Sequence, residues 1–152
     1  YCLDAATGKV KWRNFVAGRD QAEIIYLKDN AVQGDAYADC LLTEPSEGKL
    51  SRIAASDGST VWGLNFGGPI LDPFVDRNVL YISDRNGRVS CIDVESGAVR
   101  WSQQIPQAIT AGTNVGNLRE SLFAVGENSN IYSLAKRNGE CNSVFYLGHE
   151  PG

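Results

Sequence analysis

The first candidate for a catalytic side chain is the single histidine of the sequence. His149 lies in the run Tyr-Leu-Gly-His-Glu-Pro-Gly near the end of the sequence. The pKa of a histidine lies near neutrality, which suits it to general-base catalysis. No nucleophile or carboxylate partner for it is identifiable from the sequence, so we interpret the segment around His149 as a loop.

Four cysteines are the next candidates, at Cys2, Cys40, Cys91 and Cys141. They form no Cys-x-x-Cys pair and no Cys-x-x-Cys-His haem signature, and none has a neighbouring histidine. Zinc and haem sites are therefore disfavoured. An even number of cysteines permits disulfides without requiring them, and the state of Cys40 and Cys141 stays open.

Carboxylates are scattered along the chain and do not cluster in any motif. The acidic residues considered as candidate ligands or bases are Glu23, Asp35, Asp39, Asp72, Asp76 and Asp84. They fall at predicted turns and strand ends, where aspartate commonly stabilises the turn itself. Asp84-Arg85-Asn86 and Arg19-Asp20 are interpreted as exposed turns. The sequence thus predicts no catalytic, cofactor-binding or metal-binding residues, and no cofactor.

Composition excludes two further classes of function. The 152 residues carry a formal net charge of −4, with 43% hydrophobic and 21% charged residues. That balance is typical of one globular domain and lacks the basic surface that nucleic acid requires. No apolar run reaches the roughly 18 residues that a membrane-spanning helix needs. The sequence therefore predicts no nucleic-acid partner and no membrane span.

A short motif recurs along the chain and predicts how these residues are arranged. A glycine precedes a tryptophan by four residues at Gly8 and Trp12, at Gly58 and Trp62, and at Gly97 and Trp101. A fourth glycine, Gly139, is followed at the same offset by Ser143. Successive glycines are 50, 39 and 42 residues apart. Repeats of this length made of short strands are typical of propellers.

The predicted fold is all-β, a β-propeller of four-stranded antiparallel blades with about three and a half blades present. Residues 1–15 are predicted to be the outer hairpin of a first blade, and 24–66, 69–105 and 108–148 to be successive blades of one segment. Asn86-Gly87 and Asn138-Gly139 predict hairpin turns with positive φ at both central residues. The apolar runs EIIYLKD, NVLYIS and SLFAVGE predict strands covered on both faces. A sandwich or barrel is disfavoured because it gives no reason for a fixed glycine-to-tryptophan offset.

The repeated tryptophan is predicted to have a packing role. Each indole is expected on the outer strand of a blade, flat against the adjacent blade, with the glycine turn setting its register. Cys2 and Cys91 hold equivalent repeat positions two blades apart. They are therefore predicted to be buried thiols, because equivalent positions lie too far apart for a disulfide.

These stretches resemble the PQQ-like β-propeller repeat. CLDAATGKVKW matches its consensus through Asp4, Thr7, Gly8 and Trp12, and CIDVESGAVRW matches it through Asp93, Gly97 and Trp101. RIAASDGSTVW keeps the glycine and the tryptophan but has alanines where the aspartate would fall. Pro73 matches the family's proline at the start of an inner strand.

The resemblance implies a fold more than a function. The family includes quinoprotein dehydrogenases that bind pyrroloquinoline quinone and calcium, which typically carry a disulfide between adjacent cysteines; this chain has no adjacent cysteines. The family also includes non-catalytic propellers, such as the lipoprotein scaffold of outer-membrane β-barrel assembly. We predict a non-enzymatic protein-interaction or scaffold module in the periplasm or another extracytoplasmic space. A fragment of a quinoprotein dehydrogenase and the sensor domain of a membrane-tethered receptor are the alternatives.

Three and a half blades do not close a ring, since closed propellers have roughly four to eight. Apolar blade faces are therefore expected to be exposed. The predicted partners are another protein or the remaining blades of a larger propeller. A homodimer through the exposed blade faces is the alternative.

Overall fold

The computed structural model describes residues 1–15, 22–27, 39–114 and 120–148. The chain divides into two compact units, Tyr1–Asn65 and Phe66–Gly152. Arg19-Asp20, Asp35 and His149 lie outside the described residues. Among the residues described, no helix is long and apolar enough to cross a membrane.

The first unit contains a two-stranded hairpin and a four-stranded antiparallel sheet. The hairpin pairs β1 (Cys2–Leu3) with β2 (Val10–Trp12). The sheet runs in chain order through β3 (Glu23–Tyr26), β4 (Cys40–Glu44), β5 (Lys49–Ile53) and β6 (Thr60–Asn65).

The second unit contains two four-stranded antiparallel sheets, each again in chain order. The first is formed by β7 (Ile70–Asp76), β8 (Val79–Asp84), β9 (Arg88–Asp93) and β10 (Val99–Gln104). The second is formed by β11 (Ile109–Asn114), β12 (Ser121–Gly126), β13 (Asn130–Ala135) and β14 (Cys141–Tyr146). A three-residue 3-10 turn, Glu127–Ser129, joins β12 to β13.

The core of the second unit lies between its two sheets. Its buried members come from both sheets and from the segment that joins them: Tyr81, Val89, Cys91, Ile105, Ile109, Leu122, Ala124, Tyr132 and Leu134. Trp101 packs against this cluster from β10. Burial of these side chains supplies the main stabilisation of the unit.

The predicted covering of the apolar runs is correct for β8 and wrong for β3. Five of the six residues of β8 are buried. On β3, in contrast, Ile24 and Tyr26 are 56% and 77% exposed. An apolar run alone therefore identifies a strand without showing whether both of its faces are covered.

Pro73 lies inside β7 rather than at the start of a strand, which corrects the sequence prediction. β7 is the edge strand of its sheet, and its register with β8 shifts between Leu71 and Phe74. Proline has no backbone N–H, so an edge strand at a register shift accommodates it without loss of a sheet hydrogen bond.

The four repeat glycines end four turns with the same backbone. In each turn the glycine amide donates to the carbonyl four residues earlier, at 2.7–2.9 Å: Gly8 to Asp4, Gly58 to Ala54, Gly97 to Asp93 and Gly139 to Ala135. The glycine φ angles lie between 69° and 77°. Because L side chains rarely adopt this region, glycine closes the turn at least cost.

The prediction of positive φ at both residues of Asn86-Gly87 and Asn138-Gly139 is wrong. Only the glycine has positive φ in either pair. Two consecutive positive φ angles occur instead at Asn128 (62°) and Ser129 (60°), between β12 and β13. Asparagine tolerates this conformation better than most residues.

Different side chains stabilise the same turn. Asp93 Oδ1 accepts hydrogen bonds from the Ser96 amide and hydroxyl, both at 3.0 Å, and Asp93 also pairs with Arg100. Asp4 accepts equivalent bonds from Thr7. The second copy has Ala54 at this position, and there the carboxylate comes from Asp57, which accepts from the Ser59 amide at 2.9 Å.

Stability should depend on the ionisation of Asp93. The hydrogen bond from Arg100, followed by that from the Ser96 amide, lowers the pKa of Asp93 from 3.8 to about 2. A lowered folded-state pKa stabilises the fold above the unfolded value, and this stabilisation disappears as pH falls through the folded value. Asp93→Asn should therefore be less stable than wild type at pH 7 in urea unfolding. The difference should shrink between about pH 4 and pH 2, and a difference independent of pH would contradict this assignment.

Candidate functional site

Trp12 joins the first hairpin to the sheet of its own unit. Its Nε1–H donates to the Ala55 carbonyl at 2.8 Å. Its ring lies over Gly58, where a Cβ atom would come within 2.6 Å of Trp12 Cδ2. Asn14 adds a hydrogen bond to the Gly58 carbonyl at 3.2 Å. The glycine therefore provides the surface on which the indole lies.

Trp101 makes the same contact in the second unit. Its Nε1–H donates to the Lys136 carbonyl at 2.8 Å. A Cβ at Gly139 would come within 2.7 Å of Trp101 Cζ3. In both cases the accepting carbonyl is three residues before the glycine. Sequence reasoning assigned the glycine to turn geometry alone and missed this second requirement.

The other repeat residues are placed as follows. Trp62 lies half-buried on β6, and Gly97 is buried in its turn. Gly8 has the same turn geometry, but a Cβ built there would meet no atom of the described residues within 4 Å. Ser143, at the tryptophan position of the fourth copy, is half-buried on β14.

Charged and polar groups around Trp101 are engaged with one another. Lys136 Nζ pairs with Asp76 Oδ2 at 3.0 Å and lies 5.9 Å from the centre of the Tyr81 ring. The rings of Tyr81 and Trp101 are 6.1 Å apart. Burial raises the pKa of Tyr81 to about 12. This cluster joins two sheets, and its ionisable groups hold each other in place.

Of the carboxylates considered as catalytic candidates, Asp39, Asp76 and Asp84 have structural partners. Asp39 pairs with Arg52 at 2.8 Å and accepts from the Ala55 amide at 3.1 Å. Glu23 is exposed on β3. Within the described part of the chain, no group of three or more His, Cys, Asp or Glu side chains could hold a metal ion.

Asp84 departs from its predicted place in an exposed turn. It is only 4% exposed, and its carboxylate accepts from the Arg88 amide at 3.0 Å. Arg85 and Asn86, which follow it, are exposed as expected. A carboxylate that stabilises the turn from inside is shielded by the turn it forms.

All four cysteines are free thiols. Cys91 is buried and Cys2 is half-buried, whereas Cys141 is exposed. Burial raises the pKa of the Cys91 and Cys40 thiols. A raised pKa makes these two thiols poorer nucleophiles at neutral pH.

The last sheet carries a row of apolar side chains on the face opposite to the core. Val125, Ile131 and Phe145 lie opposite one another on β12, β13 and β14. Phe145 is 52% exposed. We call this surface, formed by Val125, Ile131 and Phe145, the second face.

The outer margin of the same sheet is also apolar. Val144, Tyr146 and Leu147 are 51%, 70% and 58% exposed, and we call these three residues the outer edge. Relative to the repeat glycine, Val144 and Tyr146 correspond to the polar and exposed Ser102 and Gln104 of β10. At these two positions the exposure is shared with the preceding copy, whereas the apolar side chains replace polar ones. Such strand margins pair readily with other chains.

The structure also resembles solved propellers. It matches the crystal structure of BamB from Moraxella catarrhalis with a TM-score of 0.59 and 17% identity, over 83% of this chain and 38% of that one. It matches the C-terminal WD40 domain of Sif2 with a TM-score of 0.62 and 8% identity, over 74% of this chain and 34% of that one. The chain is an all-β protein with the β-propeller fold, present as a partial propeller.

Sequence comparison identifies the family. Residues 46–142 match the family model described as outer membrane protein assembly factor BamB, and the chain belongs to that family. The protein of that name from Yersinia pestis is 29% identical over 92% of this chain and 37% of its own length. The one from Moranella endobia is 23% identical over 89% of this chain and 34% of its own length. The chain thus spans little more than a third of these relatives.

The contact between indole and glycine makes a quantitative prediction. Gly58→Ala and Gly8→Ala should share the cost of an L side chain at positive φ, about 1 kcal/mol. Gly58→Ala should in addition displace the Trp12 ring, and lose about 1–3 kcal/mol more in the free energy of unfolding in urea.

Gly8→Ala is the matched control for this measurement, because its φ of 69° is close to the 77° of Gly58 while its surroundings are open. Equal losses in the two variants would show that turn strain alone accounts for the glycine at 58.

Proposed function

We propose that the chain is a non-catalytic propeller segment that serves as a protein-interaction scaffold in outer-membrane protein assembly, in an extracytoplasmic compartment. Membership of the BamB family supports the process and the location. The observation that carries the interaction role is the exposed outer edge, Val144, Tyr146 and Leu147.

The outer edge suits a protein partner for two reasons. β14 is the edge strand of its sheet, so its outward backbone groups can pair with an added strand. The exposed Val144 and Tyr146 on β14, and Leu147 directly after it, offer apolar area to the side chains of such a strand. Neither feature requires a change of conformation in the propeller, which keeps the entropic cost of binding low.

The second face suits another blade better than a separate protein. It lies on the side of its sheet opposite the core and carries the aligned row Val125, Ile131 and Phe145. The two sheets of the second unit pack against each other through apolar faces of the same kind. The relatives are more than twice as long as this chain, which leaves room for further blades. A second copy of the chain on this face is the alternative occupant.

A scaffold role also accounts for the engaged acids. Asp39, Asp76 and Asp93 each pair with a cation of their own unit. Paired carboxylates at sheet margins stabilise turns and sheets, whereas a catalytic acid or base faces a substrate cleft.

The quinoprotein alternative predicts a ligand. In isothermal titration calorimetry with pyrroloquinoline quinone and calcium, we expect no binding at micromolar concentrations. The described carboxylates form no group that could hold the metal. A saturable micromolar heat signal would replace the scaffold proposal with the dehydrogenase one.

A charged substitution at the outer edge tests whether this surface binds a protein partner. Val144→Lys should weaken binding of the partner by about tenfold or more, because it would desolvate an unpaired ammonium group. In host cells that rely on the full-length protein carrying this change, we expect fewer folded outer-membrane β-barrel proteins, measured by their heat-modifiable migration on gels.

Val99→Lys is the matched control, because Val99 on β10 is 52% exposed against 51% for Val144. It should leave barrel levels at those of wild type. Equal effects of the two substitutions, or none from Val144→Lys, would contradict the assignment of the outer edge.

A further inference from the structure

Two of the four cysteines lie near each other in the first unit, one on the hairpin and one on the sheet. Cys2 is on β1 and Cys40 is on β4, and each is a half-buried free thiol. Burial, the charge of Asp39 and the Cys2 thiol raise the pKa of Cys40, in that order of size. An electrostatic contribution from one thiol to the other arises only when the two groups are close together.

Matched positions in the second unit show which way the two cysteines are directed. Cys2 and Cys91 each lie six residues before a repeat glycine. Cys40 and Leu122 correspond to each other, because each pairs with the residue five positions before the repeat glycine of its own sheet. Cys91 and Leu122 come from different sheets and are both buried in the cluster between them. The same arrangement in the first unit places Cys2 and Cys40 on facing surfaces.

Contacts beside the two cysteines hold the hairpin on the sheet. Cys2 pairs with Trp12 within the hairpin, and Trp12 Nε1–H donates to the Ala55 carbonyl at 2.8 Å. The Ala55 amide donates to the carboxylate of Asp39, the residue before Cys40, at 3.1 Å. These hydrogen bonds connect the strand partner of one cysteine to the chain neighbour of the other.

We propose that Cys2 and Cys40 are a site of oxidative modification, at which a disulfide joins the first hairpin to the sheet of β3–β6. Immunoglobulin domains carry a disulfide of this kind, with one cysteine in each of two facing sheets. In the second unit Leu122 takes the place of Cys40, so Cys91 has an apolar neighbour there instead of a second sulfur. A two-stranded hairpin is marginally stable by itself, and a covalent link would keep it in place.

The bond would form by thiol–disulfide exchange with a small-molecule or protein disulfide as the oxidant. One cysteine thiolate attacks a sulfur of the oxidant and expels the first of its thiols, and the second cysteine attacks the mixed disulfide and expels the other. Two electrons pass from the cysteine pair to the oxidant, whose S–S bond becomes two thiols that take up the two cysteine protons. Such oxidants are characteristic of extracytoplasmic compartments, so the inference rests on the proposed location of the chain.

The surroundings of Cys40 would make the bond slow to reduce. A thiol with a raised pKa is a poorer leaving group in exchange, so attack on the Cys2 sulfur would release Cys40 slowly. Half-burial of both cysteines also restricts the approach of a reducing thiol. The link should therefore persist in the folded protein once it has formed.

Mass spectrometry of the wild-type chain tests the pairing. The purified protein is equilibrated with oxidised and reduced glutathione, quenched with acid, unfolded in urea and alkylated. We expect two of its four cysteines to be alkylated, and the mass before alkylation to be about 2 Da below that of the reduced chain, for the two hydrogens lost. Trypsin without reductant should release the peptide that ends at Lys9 linked to the peptide that ends at Lys49. Four alkylated cysteines, glutathione adducts in place of a link, or a different pairing would overturn the proposal.

Two serine variants locate the bond. Cys40→Ser should have all three of its remaining cysteines alkylated after the same treatment. Cys91→Ser is the matched control, because it removes the thiol at the position equivalent to Cys2 in the second unit. It should keep the link and leave only Cys141 to be alkylated. A link that survives Cys40→Ser, or one that is lost in Cys91→Ser, would contradict the assignment.

Unfolding in urea tests whether the bond stabilises the fold. The two cysteines are 38 positions apart, and a disulfide across a loop of this length restricts the unfolded chain. The midpoint of oxidised wild type should lie about 1 M above that of the reduced protein. Cys40→Ser should have the same midpoint with and without reductant. Equal midpoints for oxidised and reduced wild type would overturn the stabilising role of the link.

Failure of this inference is distinguishable from failure of the scaffold proposal. The tests on the purified chain involve no partner, so an unlinked pair would leave the expected effect of Val144→Lys unchanged, and the converse also holds. The full-length protein, acid-quenched and alkylated directly from host cells, should carry the same link. A chain that links when purified but stays reduced in cells would overturn the extracytoplasmic location.

Discussion

One interaction sets the constraint on the rest of this structure: an indole ring lies on a glycine and donates its N–H to the carbonyl three residues before that glycine. The ring position requires a residue without a Cβ, and the acceptor requires a turn that presents its carbonyl to the neighbouring element. Both demands fall on the same short turn. The tryptophan of one copy thus binds the glycine turn of the next, which is how Trp12 holds the hairpin and Trp101 joins two sheets.

The turn must keep the same backbone conformation in every copy, but different side chains stabilise that conformation. Asp93 closes its turn from the first position with help from Ser96 and Arg100, whereas in the copy with Ala54 the carboxylate of Asp57 acts from within the turn. In the fourth copy, Asn138 accepts from the Glu140 amide. In all four turns, nevertheless, the glycine amide donates a hydrogen bond to the carbonyl four residues earlier and the glycine has positive φ. The consensus aspartate is one of several ways to stabilise a turn, and its replacement by alanine in the second copy did not signal a different fold.

Much of the fold was predictable because the repeat motif is local. The spacing of Gly8, Gly58, Gly97 and Gly139 predicted the strands on either side of each turn and the propeller class. Features that depend on which surfaces meet were less predictable. The exposure of Ile24 and Tyr26 on β3 depends on neighbouring elements that a short window of sequence does not contain, whereas Asp84 is buried by the turn that it forms. The outer edge had a signal that was available, since valine and tyrosine replace Ser102 and Gln104 at matched repeat positions. Finding it required comparing the copies position by position as well as recognising the motif.

The comparison between copies also separates packing from recognition. Trp101 and Ser143 hold the same position in their repeats, and so do Ser102 and Val144. In the third copy, Trp101 joins its sheet to the next through the indole, and Ser102 beside it is polar. Where serine replaces it, that indole contact is absent, and the neighbouring outer positions become apolar and exposed. On the proposed function, an outer strand serves either the adjacent blade or an external partner. In a repeat protein, new binding surfaces arise most economically at positions where one copy is released from a packing requirement that the other copies still meet.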